Sequence, residues 1–594
     1  MRIIYLICIF FFIQSNSING QKYDYTWLWG YDASDNVSDT TYGTTVMDFN
    51  TNSLFPKIYY DGYKLMDFTY SSGINCISDY KGKYMFAFNG KEFENYSNEK
   101  IKNSDPLYIY YTDEIPAFGI CSGLVLPHFT IENRYFIYFI IYKIIRSANP
   151  FGAGFKIIQS EIDMNLNSGK GEMINKYQLI YQDTLEYSTP VATKHANGRD
   201  WWIIMSKRNS NVYHTFLLSP YGVSLHHTQQ IGEPIITDWG QNAFSPDGNY
   251  YAKNSESEIK DSSYFLLFNF DRCTGHLSNS HSFKFKTNSQ ASGISFSPNS
   301  KYLYIAHLFD LFQVDLSDNQ YQLESVVVYD NFIGDIDRGF PYKNAFGFMQ
   351  IAPDGRIYNS PIFAGATYLN VIEYPDKKGF QCNVKQHGLR LPAPQRTMPV
   401  NPNYRLGPID GSICDSLMIN NYPVAEFRYN QDTTNPLKIE FTDLSYYEPT
   451  EWFWDFGDPS SSMPTSIDTS PIHTFSTTGL FKVCLTVKNS NGQNTICKNL
   501  QLGTVATEGT DKNKSIVSIY PNPVKDRFNL IISDYLPSDA RLIISDGVGK
   551  EIFRSKIYHG WNNINIQNLP NGIYYFSCYE KNLEIGKGKL VKLN

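Results

Sequence analysis

The chain has 594 residues, a formal net charge of −7 at pH 7 and 18% charged residues. Domains average about 100–200 residues, so this length excludes a single ordinary core, and the lack of a long basic run argues against a nucleic-acid partner. The 16% aromatic and 42% hydrophobic content, with 40 Gly and 29 Pro, excludes disorder and favours an all-β fold of strands and tight turns.

Residues 1–20 have the pattern of a signal peptide. Arg2 precedes an apolar run from Ile3 to Ile13, and small and polar residues follow it. The run is shorter than the about 20 residues that cross a bilayer as a helix, so we expect cleavage between Ser17 and Gln21. Cys8 lies inside the apolar run, which argues against lipoprotein processing.

Two further features fit an exported chain. The apolar run from Tyr135 to Ile145 is interrupted by Lys143 and rich in Tyr, Phe and Ile, so it predicts buried strands. Nine cysteines minus Cys8 leave eight, an even number that suits disulfides in an oxidising compartment. We therefore expect no transmembrane segment in the mature chain.

A strand, a β-turn and an aromatic strand recur along residues 78–360. Clear copies are AFSPDGNYYA from Ala243, ISFSPNSKYLYIA from Ile294 and MQIAPDGRIYNSP from Met349, and weaker copies begin at Ser78, Thr130 and Lys194. The turn residues Gly82, Asn133, Gly198, Gly248, Ser300 and Gly355 are 51, 65, 50, 52 and 55 residues apart. A period near 50 is typical of a four-stranded propeller blade. Residues 21–410 are thus predicted to form a β-propeller of about seven blades, with six or eight left open.

The residue types of the repeat explain its turns. Proline presets φ, Asp247 and Asp354 can bond their own backbone, and Gly248 and Gly355 accept positive φ. The repeats resemble the WD-related, SPDG-type propellers of exported bacterial proteins, over about residues 70–410. That resemblance implies a fold rather than an activity.

A polar linker, residues 411–421, is predicted to precede a second domain at 422–503. Short alternating strands there indicate a small β-sandwich. Its motif residues are Trp452, Trp454, Asp455, Phe456, Gly457 and Asp458. With HTF from His473 and the strand GLFKVCLTVKNSNG, they resemble the PKD domain, an immunoglobulin-like module of surface proteins. The resemblance implies that both tryptophans pack in the core.

Two cysteines of this domain are predicted to face each other. If residues 489–492 form a four-residue loop, counting outward places Cys484 opposite Cys497, within disulfide reach. A two-residue turn at Asn491-Gly492 would shift the register, and free buried thiols are the alternative to a disulfide. The pairing of Cys76, Cys121, Cys273, Cys382, Cys414 and Cys578 stays open.

After a second linker, residues 504–514, the last unit spans 515–594. Alternating strands predict another immunoglobulin-like sandwich. Its motif residues are Tyr520, Pro521, Asn522, Pro523, Gly572 and Lys592. They resemble the type A C-terminal sorting domain of proteins exported by type IX secretion. The resemblance implies binding to the type IX secretion machinery, delivery to the surface of a Gram-negative cell, removal of the domain and attachment to lipopolysaccharide.

Several fragments resemble reactive or metal-binding motifs. GICSG, residues 119–123, has the spacing of a nucleophile elbow but no helical flank. The segment from Asp163 to Glu172 begins like a calcium loop, although its Gly and Glu are misplaced, and Asp335 with Asp337 forms a shorter fragment. Interstrand loops are favoured, so we assign no catalytic, cofactor or metal residue, and calcium alone stays open.

Histidine and tryptophan residues are further candidates for ligand binding. His226 and His227 are adjacent, and neighbours in a regular strand point to opposite faces, so they are not expected to share a metal. Trp201-Trp202, Trp239, Trp27 and Trp29 could stack on sugars if exposed. Core positions are favoured for them.

The sequence therefore predicts a secreted or cell-surface binding or adhesion protein without catalytic activity. Its propeller would present loops to a surface protein or glycan, and its PKD domain would act as a spacer. One alternative is a propeller-based extracellular enzyme acting on glycans or peptides. Another is a structural component of an adhesive or motility layer.

Overall fold

A computed structural model of the chain describes residues 21–31, 43–51, 55–61, 75–89, 92–105, 115–116, 123–142, 155–188, 190–235, 239–255, 263–285, 292–334, 343–361, 366–395, 398–432, 435–502, 517–520, 524–532, 540–547, 549–558, 560–580 and 583–593. These residues form 43 strands and two short 3-10 turns, Asn167–Gly169 and Gly379–Cys382. Five predicted features lie outside them: the signal peptide 1–20, the linker 504–514, most of GICSG with Cys121, the Asp335 and Asp337 fragment, and Pro521 to Pro523.

Seven antiparallel sheets, here called blades 1 to 7, follow one another between residues 26 and 395. Blade 1 contains β1 (Thr26–Tyr31), β2 (Gly43–Asp48) and β3 (Lys57–Tyr60), and blade 2 contains β4 (Asn75–Ser78), β5 (Tyr84–Phe88) and β6 (Phe93–Asn95). Blade 3 contains β7 (Ile115–Pro116), β8 (Leu124–Pro127), β9 (Arg134–Tyr142), β10 (Phe155–Asp163) and β11 (Glu172–Asp183). Residues 135–142 of the predicted run therefore lie in one strand, and residues 143–145 lie outside the described residues.

The later blades have four strands each. Blade 4 contains β13 (Val191–Lys194), β14 (Trp201–Ser206), β15 (Val212–Ser219) and β16 (Gly222–Gln230), after the short β12 (Tyr187–Ser188), which pairs with β17 (Trp239–Gly240). Blade 5 contains β18 (Asn242–Phe244), β19 (Tyr250–Ser255), β20 (Ser263–Phe270) and β21 (Leu277–Phe285). Blade 6 contains β22 (Ser292–Phe296), β23 (Tyr302–His307), β24 (Asp310–Asp315) and β25 (Leu323–Ser325), and blade 7 contains β26 (Met349–Ile351), β27 (Ile357–Asn359), β28 (Ala366–Ile372) and β29 (Val384–Gln395).

Every pair of neighbouring blades shares buried apolar or aromatic contacts. In blade order, Leu28 and Ala87 belong to one core cluster, and ring contacts join Phe86 with Tyr135, Tyr181 with Phe216, Tyr213 with Phe268, and Phe285 with His307; Tyr304 and Ile372 again share a cluster. The last contact joins blades 7 and 1, where the rings of Tyr358 and Trp27 are 5.9 Å apart. The seven blades thus form a closed ring, which is the β-propeller that the repeat predicts.

The repeated turns join two strands of a blade at the predicted positions. All six marker residues have positive φ: Gly82 (93°), Asn133 (60°), Gly198 (75°), Gly248 (73°), Ser300 (57°) and Gly355 (75°). They connect β4 to β5, β8 to β9, β13 to β14, β18 to β19, β22 to β23 and β26 to β27. Six consecutive blades therefore place their repeated turns at one end of the ring, which is called the turn face below.

Residues 398–405 close the ring and cross its centre. Arg405 forms a two-pronged ion pair with Asp24, which immediately precedes blade 1, at 2.5 and 2.7 Å. Backbone or side-chain hydrogen bonds join the segment to four more blades: Val400 to Asn75, Tyr404 to Val125, Asn403 to Pro246, and Asn401 to Gln350. The segment thus joins the end of the propeller sequence to its beginning.

Residues 427–502 form a two-sheet sandwich. One sheet contains β30 (Phe427–Gln431), β31 (Lys438–Asp443) and β34 (Ile472–Thr474), and the other contains β32 (Glu451–Asp455), β33 (Thr465–Ser466), β35 (Gly479–Asn489) and β36 (Gly492–Leu502). Alternate residues of both sheets meet in a core around Trp454, Phe441 and Leu485. This is the immunoglobulin-like arrangement that the alternation predicts.

The last unit is a second sandwich. One layer contains β37 (Val517–Tyr520), β38 (Arg527–Ile532) and β41 (Gly560–Asn565), and β41 extends the sheet of blade 7 by a parallel contact with β29 at Arg390 and Gly560. The other sheet contains β39 (Ala540–Ser545), β40 (Glu551–Lys556), β42 (Gly572–Glu580) and β43 (Leu583–Lys592). The core contains Leu530, Leu542, Ile544 and Leu590.

Two disulfides occur among the described residues. Cys484 lies directly opposite Cys497 and is bonded to it, with Lys488 opposite Gln493 as the loop count predicts. Cys273 and Cys414 form the other bond, across 141 residues of sequence, with Cα atoms 5.7 Å apart. Cys382 and Cys578 are buried free thiols.

Candidate functional site

The centre of the propeller contains a small cavity. It is lined by inner-strand residues Leu124, Val191, Asn242, Ile294 and Met349 of blades 3 to 7 and by residues 400–403. Its volume is about 60 Å³. Small-molecule pockets span about 300–1,000 Å³, so a sugar ring does not fit in this cavity.

Part of the turn face is covered by the chain that follows the propeller. An added Cβ at Gly198 would lie 2.6 Å from Pro408, and one at Gly355 would lie 2.5 Å from Leu444 of the PKD-like sandwich. The Gly248 turn likewise contacts Leu406. Three of the six repeated turns therefore use a glycine where linker or sandwich atoms approach the backbone closely.

Buried charges join blade 7 to the sandwich. Arg356 is fully buried and lies 2.9 Å from Asp354 and 3.3 Å from Glu373, and it donates to Asn430 at 3.0 Å. Burial opposes its charge, but Glu373 and Asp354 raise the pKa of Arg356 above its ordinary value. Arg428 of the sandwich donates to the Glu373 carbonyl at 2.6 Å. Burial and the neighbouring Arg356 lower the pKa of Arg428 to about 10.

The predicted linker is fixed to blade 5. Cys414 is bonded to Cys273, and Arg272 donates hydrogen bonds to the carbonyls of Lys194 and Gly407. Burial lowers the pKa of Arg272 to about 10, and its contacts are with backbone oxygens. The segment is therefore a packed connection, and the PKD-like sandwich is held against the propeller.

The opposite face of the ring carries the hairpins at the other ends of the strands. Leu308 and Phe309 join β23 to β24 there, and the Phe309 ring lies 4.7 Å from that of Tyr329. The Lys343 ammonium lies 5.1 Å from the Phe309 ring centre, and Ile333 beside it is 56% exposed. These residues combine aromatic, apolar and cationic groups at a solvent-exposed edge.

The tryptophans predicted as core residues are buried where their side chains are described. Trp27, Trp29, Trp201 and Trp202 are at most 1% exposed, which excludes them from stacking on a ligand at the surface. The indole of Trp202 donates to the Arg272 carbonyl at 2.7 Å.

The turn aspartates act locally. Asp247 accepts from the Asn249 amide at 3.0 Å, and Asp354 accepts from the Arg356 amide at 3.0 Å. These are the backbone bonds that the turn chemistry predicts. Asp354 has a second role, as a partner of the buried Arg356, that local sequence did not indicate.

The PKD motif residues have different environments. Trp454 and Phe456 are buried, whereas Trp452 is half-buried and donates to Asp443 at 2.8 Å, and Asp455 is exposed. Asp458 accepts from Ser476 at 2.6 and 2.8 Å and lies 3.3 Å from His473. Burial opposes the charge, but these bonds lower the pKa of Asp458. Gly457 has a φ of 64°.

In the last sandwich, Gly572 begins β42 and Tyr520 ends β37. Lys592 is buried and donates to the carbonyls of Ile566 and Gln567 at 2.9 and 3.2 Å. The basic end of the chain thus fastens its final strand to a neighbouring loop.

The expectation that His226 and His227 point to opposite faces is wrong. Their Nδ1 atoms lie 2.9 Å apart because β16 contains a β-bulge at this point. Burial, then the neighbouring His276 and His226, lower the pKa of His227 to about 4. A period-two pattern did not indicate the bulge, since the sequence has no Gly or Pro within three residues of the pair.

Carboxylates of the calcium-like fragment bond to protein groups in a hairpin loop. Asp163 accepts from the Asn165 amide at 2.9 Å, and Glu172 pairs with Lys102 at 3.0 Å. Among the residues that the structure describes, no three His, Cys, Asp or Glu side chains are grouped to hold a metal. No helix in the same described ranges is long and apolar enough to cross a membrane.

Two regions match known domain families. Residues 420–502 match the PKD domain, and residues 518–592 match the secretion system C-terminal sorting domain. The chain carries a sorting domain. It is thus a protein of type IX secretion that reaches the outer-membrane surface or is released from it.

Solved structures show likenesses of low identity. The PKD1 domain of Vibrio anguillarum Epp is 26% identical over 14% of this chain and 98% of that chain, with a TM-score of 0.13. PorZ, a surface component of the Porphyromonas gingivalis type IX system, is 9% identical over 93% and 73%, with a TM-score of 0.25. Exo-β-1,3-galactanase from Phanerochaete chrysosporium is 7% identical over 85% and 99%, with a TM-score of 0.28. No curated protein matches the chain in sequence.

Proposed function

We propose that this surface protein is a binding module whose recognition surface is the propeller face opposite the repeated turns. The partly covered turn face supports this proposal, because Pro408 and Leu444 lie against the Gly198 and Gly355 turns. In this proposal a macromolecular ligand binds at the opposite face of the ring. In this proposal the PKD domain is a rigid support for the propeller rather than a loose spacer.

The chemistry of the opposite face supports a protein or glycan ligand. Aromatic rings stack on sugar and peptide groups, and Phe309 with Tyr329 supplies two of them beside the cationic Lys343. The apolar Ile333 and Val328 are 56% and 78% exposed. The central cavity is too small to admit the ligand, so binding takes place across the loops.

The test is a pull-down with the purified full-length protein against envelope proteins and cell-surface polysaccharides, followed by analysis of the bound material. We expect an unaltered ligand to be retained, and the double variant Phe309→Ala/Lys343→Ala to bind it at least 10-fold more weakly. Tyr221→Ala is the matched control, because Tyr221 is 99% exposed between β15 and β16 at the turn end.

Three results would contradict the proposal. If the Tyr221 variant and the Phe309/Lys343 variant weaken ligand binding equally, the ligand does not bind specifically at the opposite face. Cleaved products would favour an enzyme acting on glycans or peptides. Assembly of the purified protein into large homopolymers, without capture of another molecule, would favour a structural layer.

A further inference from the structure

A β-bulge in β16 places two histidine rings in contact on the outermost strand of blade 4. Thr215 of β15 lies opposite His227, and Phe216 lies opposite Leu225, so His226 is the extra residue of the bulged strand. An extra residue interrupts the alternation of side chains between the two faces. The Nδ1 atoms of His226 and His227 lie 2.9 Å apart, which is the length of a hydrogen bond between two ring nitrogens.

The pair also joins blade 4 to blade 5. The His227 ring stacks on the ring of His276, which lies in the turn between β20 and β21, with centroids 4.0 Å apart and an angle of 9° between the planes. Beside this stack, the Gln229 side chain donates to the Leu277 carbonyl at 2.6 Å and accepts from the Leu277 amide at 2.9 Å. These contacts hold β16 against the outer hairpin of blade 5.

The number of protons on the pair decides whether the contact between His226 and His227 can form. Two neutral imidazoles carry two protons on four ring nitrogens. If His227 donates its Nδ1 proton to Nδ1 of His226, the second proton lies on Nε2 of His226, which is an exposed residue. Nε2 of His227 then carries no proton. This arrangement suits its burial, because that nitrogen has no hydrogen-bond partner among the described residues.

One additional proton is incompatible with the same contact. Two nitrogens 2.9 Å apart have room for one proton between them, so a pair with three protons must carry one on each Nε2. Nε2 of His227 would then be a buried donor without an acceptor, which is unfavourable. The positive charge would also lie against the stacked ring of His276, which can itself take up a proton. Uptake of a proton therefore favours separation of the rings.

The groups that face His227 oppose a positive charge on its ring. Trp202 of β14, which is uncharged, contacts the His226 ring at 5.0 Å. In the blade 5 turn, His276 faces His227, and Asp271 is the carboxylate that interacts with His276 and accepts hydrogen bonds within its own turn. Burial, then His276 and His226, lower the pKa of His227 to about 4.

We propose that His226, His227 and His276 form an acid-sensitive contact that holds β16 to the blade 5 turn when the pair is neutral and opens when the pair takes up a proton. In the open form, His227 has an ordinary pKa of about 6.5. The open form therefore binds more protons between about pH 6.5 and pH 4, and the closed form loses stability as the pH falls through this range. Opening loosens the propeller beside Cys273, which ties the linker to blade 5.

The test follows hydrogen–deuterium exchange of the purified full-length protein by mass spectrometry at pH 7.5 and pH 5.0, corrected for the direct effect of pH on exchange. We expect the amides of residues 222–230 and 271–277 to exchange at least 10-fold faster at pH 5.0. Their protection should return when the sample is brought back to pH 7.5. Exchange in β14 and β19, inner strands of the same two blades, should not change.

Ring substitutions separate the uptake of the proton from the packing. His227→Phe keeps a ring for stacking on His276 but has no buried nitrogen, and we expect it to exchange equally at both pH values. His281→Phe is the matched control, because it replaces a half-buried ring of β21 outside the cluster and should keep the acid response of the parent.

A second variant tests the contact between the two Nδ1 atoms. His226→Ala changes an exposed residue and removes this contact at both pH values, so the difference in exchange between them should be at least threefold smaller than in the parent. Equal exchange of the parent at pH 7.5 and pH 5.0 would overturn the proposal. So would a full acid response in both His227→Phe and His226→Ala, or its loss in His281→Phe.

Discussion

Single side chains fix the geometry of the repeated turns. Ser245 donates to Asp247 at 2.5 Å and accepts from the Tyr250 amide at 2.9 Å. Ser297 donates to Asn299 at 2.7 Å and accepts from the Tyr302 amide at 2.9 Å. In these two turns the serine before the proline therefore joins the turn to the next strand, whereas the blade 7 copy has Ala352 at this position.

Gly355 is needed for both its backbone angle and its contact. Its φ of 75° strains an alanine by roughly 1–2 kcal/mol, and the new Cβ would lie 2.5 Å from Leu444. Gly411 has a φ of 73° and no atom within 4 Å of such a Cβ. We expect Gly355→Ala to lower the free energy of unfolding by about 1–3 kcal/mol more than Gly411→Ala, by overpacking.

Urea denaturation of the two glycine variants measures the difference. If both variants lose the same free energy of unfolding, the close contact with Leu444 adds nothing to the strain of the positive φ.

Buried Lys194 should make stability depend on pH. Burial lowers its pKa to about 7, although Asp200 favours the charged form. In the unfolded chain the lysine keeps its proton up to about pH 10.4, so the unfolded state binds more protons between these values. Stability contributed by this group therefore rises with pH, by at most about 1.4 kcal/mol per unit.

The variant Lys194→Met removes this titration. Denaturation at pH 7, 8 and 9 should show the unfolding free energy of the parent rising relative to that of Lys194→Met. If the unfolding free energies of the two proteins change equally with pH over this range, Lys194 is charged in the folded state.

At the scale of elements, the two disulfides constrain very different lengths of chain. Cys484 and Cys497 are 13 residues apart within one hairpin, whereas Cys273 and Cys414 are 141 residues apart and tie the linker to blade 5. A disulfide lowers the conformational entropy of the unfolded chain, and this effect predicts that the folded state is stabilised by about 3 kcal/mol for the short loop and about 5 kcal/mol for the long one.

Double serine variants test this difference. We expect Cys273→Ser/Cys414→Ser to lower the unfolding free energy by about 2 kcal/mol more than Cys484→Ser/Cys497→Ser, because its loop is longer. Denaturation of each variant beside the parent provides the values. A larger loss from the hairpin pair would indicate that strand packing, and not loop closure, dominates.

Regular local patterns were predictable at this scale, and irregular ones were not. The 484 to 497 register follows from counting along one hairpin, and the six turns follow from residue types and spacing. The bulge at His226 has no such signal, because pairing with β15 decides it. The ring-closing segment, residues 398–405, does contain a sequence signal: Asn401-Pro402-Asn403 resembles the Ser-Pro-Asn pattern, and Tyr404 follows Gly355 by 49 residues. This signal was not recognised from the sequence because no strand follows the segment directly.

For the whole molecule, contacts between distant residues determine which surfaces remain accessible. Arg405 joins the end of the propeller to Asp24 at its start, and Arg356 joins blade 7 to Asn430 of the PKD domain. Composition and motifs predicted the three β units in order. They did not predict that the PKD domain packs against the Gly355 turn, because such contacts leave no periodic pattern in either partner.

The sorting domain determines where the molecule is delivered, independently of what the propeller binds. Its core is formed by its own strands, around Leu530, Leu542 and Leu590. Deleting residues 515–594 should therefore leave the signal peptide to export the chain but trap it in the periplasm. Fusing the same residues to a periplasmic reporter should carry the reporter to the surface. Protease accessibility on intact cells measures both effects, and surface delivery of the truncated chain would refute the role of this domain.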